Sequence, residues 1–340
     1  MNLLFQNALQ KKVQQTPPIW FMRQAGRYHK HYQALRAKYS FETLCREPEL
    51  AAQVALGPIQ DFDFDVSILF SDLLFPLDAL GMGLSYSDVG PKLEQSLNTG
   101  FQIKNFNLEE SLSQLSFQAQ ALKLTRQMLP TNKSLIGFVG GFWTLFVYAA
   151  EGGHAGSLIP AKSLFPKSPE FINILCKLIE ANIDMQLKAG AEVVMVFDTS
   201  AGEISSLFYK THIAPKLIQW AHQFPGRLGY YSKGTQPSFF GQDFILAPWA
   251  GRGVDHRWSI AETLVSARQN HGFIQGNFDQ ALLFQDTQNF TQNLKTYMDS
   301  LKELSQEERA GWVCGLGHGV LPKTPEQHVK LFVETIRKEF

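Results

Sequence analysis

Two arginines four residues apart stand in a short segment whose composition suits an anion-binding loop. Arg23 and Arg27 are separated by Gln24, Ala25 and Gly26, and two prolines precede the segment. Glycine weakens a helix by roughly 1 kcal/mol relative to alanine, and the prolines favour an extended or turning entry. Because guanidinium groups match carboxylates and phosphates bidentately, the segment is interpreted as a compact loop that binds an anion. The alternative is a pair of ordinary surface arginines.

Asp72 is the second candidate for chemistry. It lies between two apolar runs, and a lone buried carboxylate is costly to keep ionised. One interpretation is a helix cap or a capped turn. The other is an acceptor for several N–H groups of a ligand, because an ionised aspartate accepts at about four lone-pair positions and donates nothing.

Polar residues also follow most of the apolar runs that are typical of strands. If those strands are parallel and close into a barrel, their carboxyl ends lie on one face, where active sites are built. The sequence therefore predicts a site on one rim, although Lys233 could be a simple rim charge. The residues concerned are Asp72, Asp198, Thr199, Ser232, Lys233, Asn277, Asp279 and His318.

The elements that must position these residues alternate between strand and helix over about 270 residues. This alternation predicts parallel βαβ units and, with eight strands, a (β/α)8 TIM barrel preceded by an N-terminal helical and loop extension. A doubly wound open sheet is the alternative, but Gly81-Met82-Gly83 lacks the rest of a dinucleotide-binding motif. The predicted strands are 66–71, 83–86, 135–139, 192–197, 227–231, one within 244–257, 272–275 and 311–316.

Two helices have recognisable ends. Ser168-Pro169 predicts an N-cap followed by proline at the first helical position, and Gly190 is placed to end that helix. The segment Thr324-Pro325-Glu326-Gln327 predicts a capping box at the start of the last helix.

Composition limits the function classes. Lys plus Arg and Asp plus Glu both total 31, so no general basic field is available for nucleic acid. Three scattered cysteines predict reduced thiols rather than a disulfide framework. The N-terminus lacks the apolar core of a signal peptide, and no apolar run is long enough for a membrane span. We expect a cytoplasmic protein without a membrane or nucleic-acid partner.

Six motifs in order along nearly the whole chain resemble those of the uroporphyrinogen decarboxylase family. The resemblance implies a single barrel domain over residues 1–340 and a homodimer. The motifs are 20–28, Ile68-Leu69-Phe70-Ser71-Asp72, Trp143-Thr144 with Tyr148 and Glu151-Gly152, Phe197-Asp198-Thr199 with Ala201-Gly202, Gly276-Asn277-Phe278-Asp279, and Leu316-Gly317-His318-Gly319.

The resemblance also implies a reaction, which is removal of the four acetate carboxyls of uroporphyrinogen III to give coproporphyrinogen III. A pyrrole protonated beside the acetate can accept the electrons, so we expect neither an organic cofactor nor a metal. By resemblance the catalytic residues are Asp72, Arg23 and Arg27. The substrate-binding residues are Arg23, Gln24, Ala25, Arg27, Asp72, Tyr148, Thr199 and His318.

Several positions depart from the family pattern. They are His29-Lys30 in place of Leu-Pro, Phe142 in place of proline, Arg257 in place of an acid, and Gly315 in place of asparagine. From its apolar surroundings alone, Tyr148 could equally be a core residue.

Two rival functions remain open. One is a barrel methyltransferase acting between a corrinoid and a thiol, which would need zinc ligands such as His-x-Cys that this chain does not offer at Tyr230–Gly234. The other is a non-catalytic tetrapyrrole binder.

Overall fold

Seven parallel strands form one sheet in the computed structural model, which describes residues 1–87, 90–154 and 156–340. The sheet order is β1-β4-β5-β6-β7-β8-β9, so each strand pairs with the next one along the sheet. The longer strands are rich in buried apolar residues, as expected for a parallel sheet that is covered on both faces. The strands are β1 Val66–Ile68, β4 Ser134–Gly140, β5 Val193–Asp198, β6 Leu228–Ser232, β7 Gly251–Gly253, β8 Phe273–Phe278 and β9 Trp312–Leu316.

The N-terminal segment Pro18–Trp20 occupies the eighth place and closes the barrel. Ile19 bridges Cys314 of β9 in parallel. The N–H of Trp20 donates to the Cys314 carbonyl at 3.0 Å, and the N–H of Asp65, just before β1, donates to the Ile19 carbonyl at 3.0 Å. The predicted barrel is confirmed. Its eighth position is filled by this short segment, which lies inside the predicted N-terminal extension.

A strand is present near 83–86 as predicted, but its predicted place in the barrel is wrong. Residues Leu84–Ser87 form β2, which pairs antiparallel with β3, Gly90–Leu93, in a separate two-stranded sheet. Burial along β2 alternates between intermediate and exposed, whereas β4 is buried throughout. Alternation of this kind is typical of a hairpin with one wet face.

Helices cover the outside of the barrel and connect its strands. The helix predicted after Ser168 is confirmed as α10, with Pro169 at its start and Gly190 after its end with φ of 110°. The Ser168 side chain does not cap it, because its hydroxyl donates to the Leu164 carbonyl at 2.9 Å. The helices are α1 Leu3–Leu9, α2 Lys30–Arg36, α3 Phe41–Arg46, α4 Pro48–Phe62, α5 Phe75–Ala79, α6 Leu108–Ser113, α7 Ser116–Met128, α8 Phe142–Glu151, α9 Ile159–Leu164, α10 Pro169–Lys188, α11 Ser206–Phe208, α12 Ala214–Gln223, α13 Gln242–Leu246, α14 Ile260–Ser266, α15 Thr287–Lys302 and α16 Glu326–Glu339.

The predicted capping box of the last helix is wrong. Helix α16 begins at Glu326 with Pro325 at the N-cap position and no side-chain cap. The Thr324 hydroxyl instead donates to the Leu321 carbonyl at 2.8 Å, so it stabilises the preceding turn. Within the described ranges, no helix is long and apolar enough to cross a membrane.

Candidate functional site

The carboxyl ends of the barrel strands share one face, and the predicted polar residues follow those ends. Because Ile19 pairs in parallel with β9, the segment Pro18–Trp20 runs towards the same face. The chain then reaches Arg23 at that face. Asp72 follows β1, Lys233 follows β6 and His318 follows β9. The arginine loop and the strand ends therefore build one site from segments that are far apart in sequence.

Gln24 fixes the arginine loop to the barrel. Its side chain is 1% exposed and donates from Nε2 to the Val66 carbonyl at 3.0 Å. Its Oε1 accepts the Phe21 N–H at 3.4 Å, and its own carbonyl accepts the Tyr28 hydroxyl at 2.7 Å. The Gln24 amide is thus used inside the loop, whereas Arg23 and Arg27 are exposed and Ala25 is half-buried.

Arg23 is held in place by the glycine after His318. Arg23 has φ of 56°, in the left-handed region that few non-glycine residues adopt. A Cβ added at Gly319 would lie 2.5 Å from Arg23 Cδ and 2.7 Å from its Cγ. The methylene groups of Arg23 therefore pack directly on the Gly319 backbone, and its positive charge acts on Asp72, Tyr148 and His318.

Asp72 is a half-buried carboxylate with few partners. Its Oδ1 accepts the Leu74 N–H at 2.9 Å, so the capped turn considered from the sequence is present. Burial raises the pKa of the Asp72 carboxyl, against the opposing effects of this hydrogen bond, the Arg23 charge and the Tyr86 hydroxyl. Tyr86 lies on β2, and its buried hydroxyl makes no hydrogen bond of good geometry to a described residue.

The sequence does not point to Tyr86, because its composition predicts a barrel strand at 83–86 rather than a hairpin. The hairpin instead carries this phenol to the carboxylate of Asp72. No local pattern marks such a contact, since the two residues lie on different elements.

Tyr148 lies in the last turn of α8 and is half-buried. Burial raises its pKa, the carboxylates of Asp72 and Glu203 raise it further, and Arg23 opposes them. Its hydroxyl is therefore kept protonated and can donate a hydrogen bond. Arg23, Asp72 and Tyr148 therefore lie within electrostatic reach of one another at the barrel mouth.

His318 contributes a neutral imidazole. Its Nδ1 lies 2.9 Å from the Tyr231 hydroxyl, which donates to the Gly317 carbonyl at 2.9 Å. Because that hydroxyl proton is already used, we assign the imidazole proton to Nδ1, which leaves Nε2 as an acceptor. Burial lowers the pKa of His318 to about 3, helped by the charges of Arg23 and Lys233.

The glycines beside His318 serve packing rather than ligand approach. A side chain at Gly317 would meet the His256 backbone, and one at Gly319 would meet Arg23. The glycines thus allow two neighbouring segments to pack tightly around the imidazole.

Other polar residues at the strand ends have structural partners. Asp198 is fully buried and accepts both the N–H and the hydroxyl of Thr144, at 3.1 and 2.5 Å. Burial nevertheless raises its pKa to about 6. Asn277 donates to the Asp255 and Trp258 carbonyls at 2.9 and 2.8 Å. Thr199, the next residue after Asp198, is half-buried at the rim.

Arg257 stands where the family pattern has an acid, and an acid, Asp255, lies two residues earlier. Its Nη1 lies 2.5 Å from Asp255 Oδ2, and Asp255 is 1% exposed. The other departures are structural. His29 is buried and lies 2.7 Å from Asp61, Phe142 packs edge-on against Trp220, and a side chain at Gly315 would meet Gln275.

Among the residues that the structure describes, no three His, Cys, Asp or Glu side chains are grouped so that they could hold a metal ion. All three cysteines are free and buried, and Cys314 lies in β9. Within the described part of the chain, the ligand set that a zinc methyltransferase would need has no counterpart.

A closed parallel barrel with its ionisable residues gathered at the carboxyl ends of the strands defines a (β/α)8-barrel enzyme. Comparison with known proteins identifies which kind. The chain belongs to the uroporphyrinogen decarboxylase family, whose model, described as Uroporphyrinogen decarboxylase (URO-D), matches residues 1–339.

Individual relatives agree with the family. Proteins named uroporphyrinogen decarboxylase from Chloroherpeton thalassium and Francisella tularensis are 33% and 32% identical to this chain. Each alignment covers 99% of this chain, with 97% and 99% of the respective relative. A solved methyltransferase from Methanosarcina mazei superposes with a TM-score of 0.77 over 100% of this chain and 99% of its own, at 16% identity. That likeness concerns the fold alone.

Proposed function

We propose that this enzyme is a carboxy-lyase that removes the acetate carboxyls of uroporphyrinogen III in tetrapyrrole biosynthesis, giving coproporphyrinogen III. The observation that carries the proposal is that Asp72 and the Arg23 guanidinium lie within electrostatic reach of each other at the barrel mouth. Asp72 has one hydrogen-bond donor among the described residues, and Arg23 is exposed beside it. An acceptor-only group next to a carboxylate-binding group suits a ligand with N–H groups at its centre and carboxylates at its edge.

The chemistry needs somewhere for the electrons of the breaking C–C bond to go. Protonation of the ring carbon beside the acetate turns the pyrrole into a cation, which accepts those electrons as carbon dioxide leaves. Asp72 stabilises the cation electrostatically, and its effect is larger in a dry cleft than in water. The protonated ring serves as the electron sink, so an organic cofactor has no step to perform.

Each predicted site residue has a role in this proposal. Arg23 and Arg27 hold the peripheral carboxylates, and the backbone at the half-buried Ala25 approaches the substrate between them. Gln24 is a positioning residue, because its side chain is used to fix the loop. Three further groups can hydrogen-bond substrate at the rim: the Tyr148 and Thr199 hydroxyls and the acceptor nitrogen of His318.

The rival functions receive less support. The methyltransferase resemblance is at 16% identity, whereas relatives named as decarboxylases are about twice as similar. A non-catalytic tetrapyrrole binder could use Asp72 and the arginines to hold the ligand in the same way as an enzyme. It is distinguished from an enzyme by turnover.

The test is an anaerobic, reducing incubation with uroporphyrinogen III, followed by oxidation and chromatographic separation of products by carboxylate number. We expect seven- to four-carboxylate products from the natural protein. Asp72→Asn should reduce the rate by at least about 10²-fold, because it removes the charge that stabilises the ring cation. Asp299→Asn, at an exposed position on α15, is the matched control and should keep full activity. An unchanged eight-carboxylate pool from folded protein would refute the proposed reaction.

We extend the proposal to organisation. The enzyme acts as one domain over residues 1–340, forms a homodimer and works in the cytoplasm. Light scattering coupled to size-exclusion chromatography tests the dimer, since a mass equal to a single 38.3 kDa chain would contradict it.

A further inference from the structure

A phenol from the outer hairpin lies beside the Asp72 carboxylate. Tyr86, which has no part in the proposed function, lies with Leu84 on the less exposed face of β2. Its hydroxyl oxygen is buried and makes no hydrogen bond of good geometry to a described residue, which is costly for a polar atom. Besides Asp72, the charged groups that act on this phenol are Glu42 and Arg46 of α3, which pair with each other at 2.8 Å.

The Tyr86 ring is held by aromatic residues from two sides. Phe41 packs edge-on against it with ring centroids 4.8 Å apart, and Phe75 does so at 6.5 Å. Phe75 lies three residues after Asp72. Phe41 also packs edge-on against Phe70, which lies two residues before Asp72. Ring contacts with both sides of the segment that carries Asp72 therefore place the phenol beside the carboxylate.

Hydrogen bonds fix the hairpin that carries Tyr86. On β2, the Leu84 N–H donates to Oδ1 of Asp78 in α5 at 3.0 Å. On β3, the Leu93 N–H donates to the carbonyl of Gly152, the C-cap of α8, at 2.9 Å. Both strands of the hairpin are thus tied to the barrel, so the position of the phenol is set by the fold.

The phenol approaches Asp72 from the protein side rather than from the barrel mouth. Its hydroxyl is buried, whereas Arg23 at the mouth is exposed. The Leu74 N–H already donates to Asp72 Oδ1 at 2.9 Å. An ionised aspartate has about four acceptor positions, so a second donor from Tyr86 would still leave about two for N–H groups of a ligand.

Charged or titratable groups from four elements face Asp72. They are Arg23 of the arginine loop, Cys45 of α3, Tyr86 of β2 and Tyr148 of α8. Burial raises the pKa of the Cys45 thiol and of both phenols, so these three groups keep their protons. Among the described residues, the Tyr86 hydroxyl is the one of these neutral groups that lies within hydrogen-bonding reach of the carboxylate.

Resting on the proposed function, we propose that Tyr86 is a positioning residue that acts through Asp72. Its hydroxyl donates to the carboxylate and holds it with the remaining acceptor positions towards the mouth, where the substrate N–H groups bind. Hydrogen bonds of this kind are often poorly aligned without substrate and tighten in the complex. Because the phenol donates to a carboxylate, it favours the charged form of Asp72 over the neutral form. The phenol keeps its proton throughout.

The first test is Tyr86→Phe, which keeps the ring and its aromatic contacts but removes the hydroxyl. Because Asp72 acts in its charged form, kcat/KM for uroporphyrinogen III falls as this carboxylate is protonated. Loss of a hydrogen bond to a charged group should move that acid limb to higher pH by about one unit. The variant should then lose about tenfold in kcat/KM below the limb and less than about threefold on the plateau. Tyr39→Phe, at an exposed tyrosine between α2 and α3, is the matched control and should change neither.

The second test follows Asp72 without turnover. In protein isotopically labelled at the aspartate carboxyl carbons, NMR reports the titration of each carboxyl, and Asp72→Asn assigns the Asp72 signal. Tyr86→Phe should raise the pH midpoint of that titration. An unchanged midpoint would overturn the proposal. A loss of activity that is equal at every pH would also overturn it, because Tyr86 would then be structural only.

A double-mutant cycle asks whether Tyr86 acts through Asp72. In an Asp72→Asn background, Tyr86→Phe should cost less than about twofold in kcat/KM, since the carboxylate that it acts on is already absent. Fully additive losses would contradict the proposal. A natural protein that leaves uroporphyrinogen unchanged would refute the proposed function, whereas the NMR titration would still decide whether Tyr86 acts on Asp72.

Discussion

Gly319→Ala tests whether the loop after β9 sets the position of Arg23. The added methyl would lie 2.5 Å from Arg23 Cδ, 2.7 Å from Cγ and 3.1 Å from Cβ, whereas ordinary contacts begin at 3.4 Å. The Arg23 side chain must therefore move by about 1 Å. Because Gly319 does not have the positive φ that disfavours alanine, the backbone can accept the substitution, and the strain falls on the arginine.

The expected kinetic effect follows from that displacement. A hydrogen bond to a charged group contributes about 1.5–3 kcal/mol, and 1.36 kcal/mol is a factor of ten. Misplacing the Arg23 guanidinium should therefore lower kcat/KM for uroporphyrinogen III by about 10- to 150-fold, within the range that a 1 Å displacement can cause. The assay is the anaerobic incubation with chromatographic analysis of carboxylate number, together with thermal unfolding to show that the protein stays folded.

Gly241→Ala is the matched control for this experiment. Gly241 has φ of −76°, and a Cβ added there meets nothing within 4 Å. It should leave kcat/KM unchanged. If Gly319→Ala also keeps full activity, then contact with Gly319 does not position Arg23, and the reasoning is refuted.

Two further predictions concern residues of the same site. Gln24→Ala leaves the Val66 carbonyl and the Phe21 N–H without their partner, so denaturant unfolding should show that the free energy of unfolding falls by about 1–3 kcal/mol. Gln288→Ala, at an exposed position, is the control and should change that free energy little. An equal effect of the two substitutions would contradict the role assigned to Gln24. For His318, burial lowers the pKa to about 3, so its imidazole should stay neutral from pH 5 to 8. His318→Asn should then change the height but not the shape of the kcat/KM profile over that range, and a lost limb would show that His318 titrates there.

The barrel could be predicted from the sequence because most of its strands are apolar runs separated by helical patterns. The two errors have one physical origin. Ile19–Trp20 is too short to show any period and follows two prolines, yet its backbone hydrogen bonds close the barrel. Residues 84–87 have strand composition but alternate in burial, and so belong to an outer hairpin. Pairing partners are set by the whole sheet, which local composition does not describe.

The same limit applies to the site, and its carboxylates show why. In the sequence Asp65, Asp72 and Asp198 lie next to predicted strands, and Asp255 lies within the range 244–257 that is predicted to contain one. In the structure Asp65 accepts hydrogen bonds from Asn2, Ile19 and Arg337, and Asp198 accepts from Thr144 twice and from Tyr230.

Asp255 likewise accepts from Gly234 and twice from Arg257. Asp72 accepts one hydrogen bond of good geometry from a described residue, the Leu74 N–H, and has the Tyr86 hydroxyl close by, although desolvation makes its charge costly. A carboxylate that the fold leaves short of donors is the one that gains most from donors on a ligand. The number of donors around each carboxylate therefore favours Asp72 as the substrate-binding carboxylate, and that number depends on contacts between distant residues.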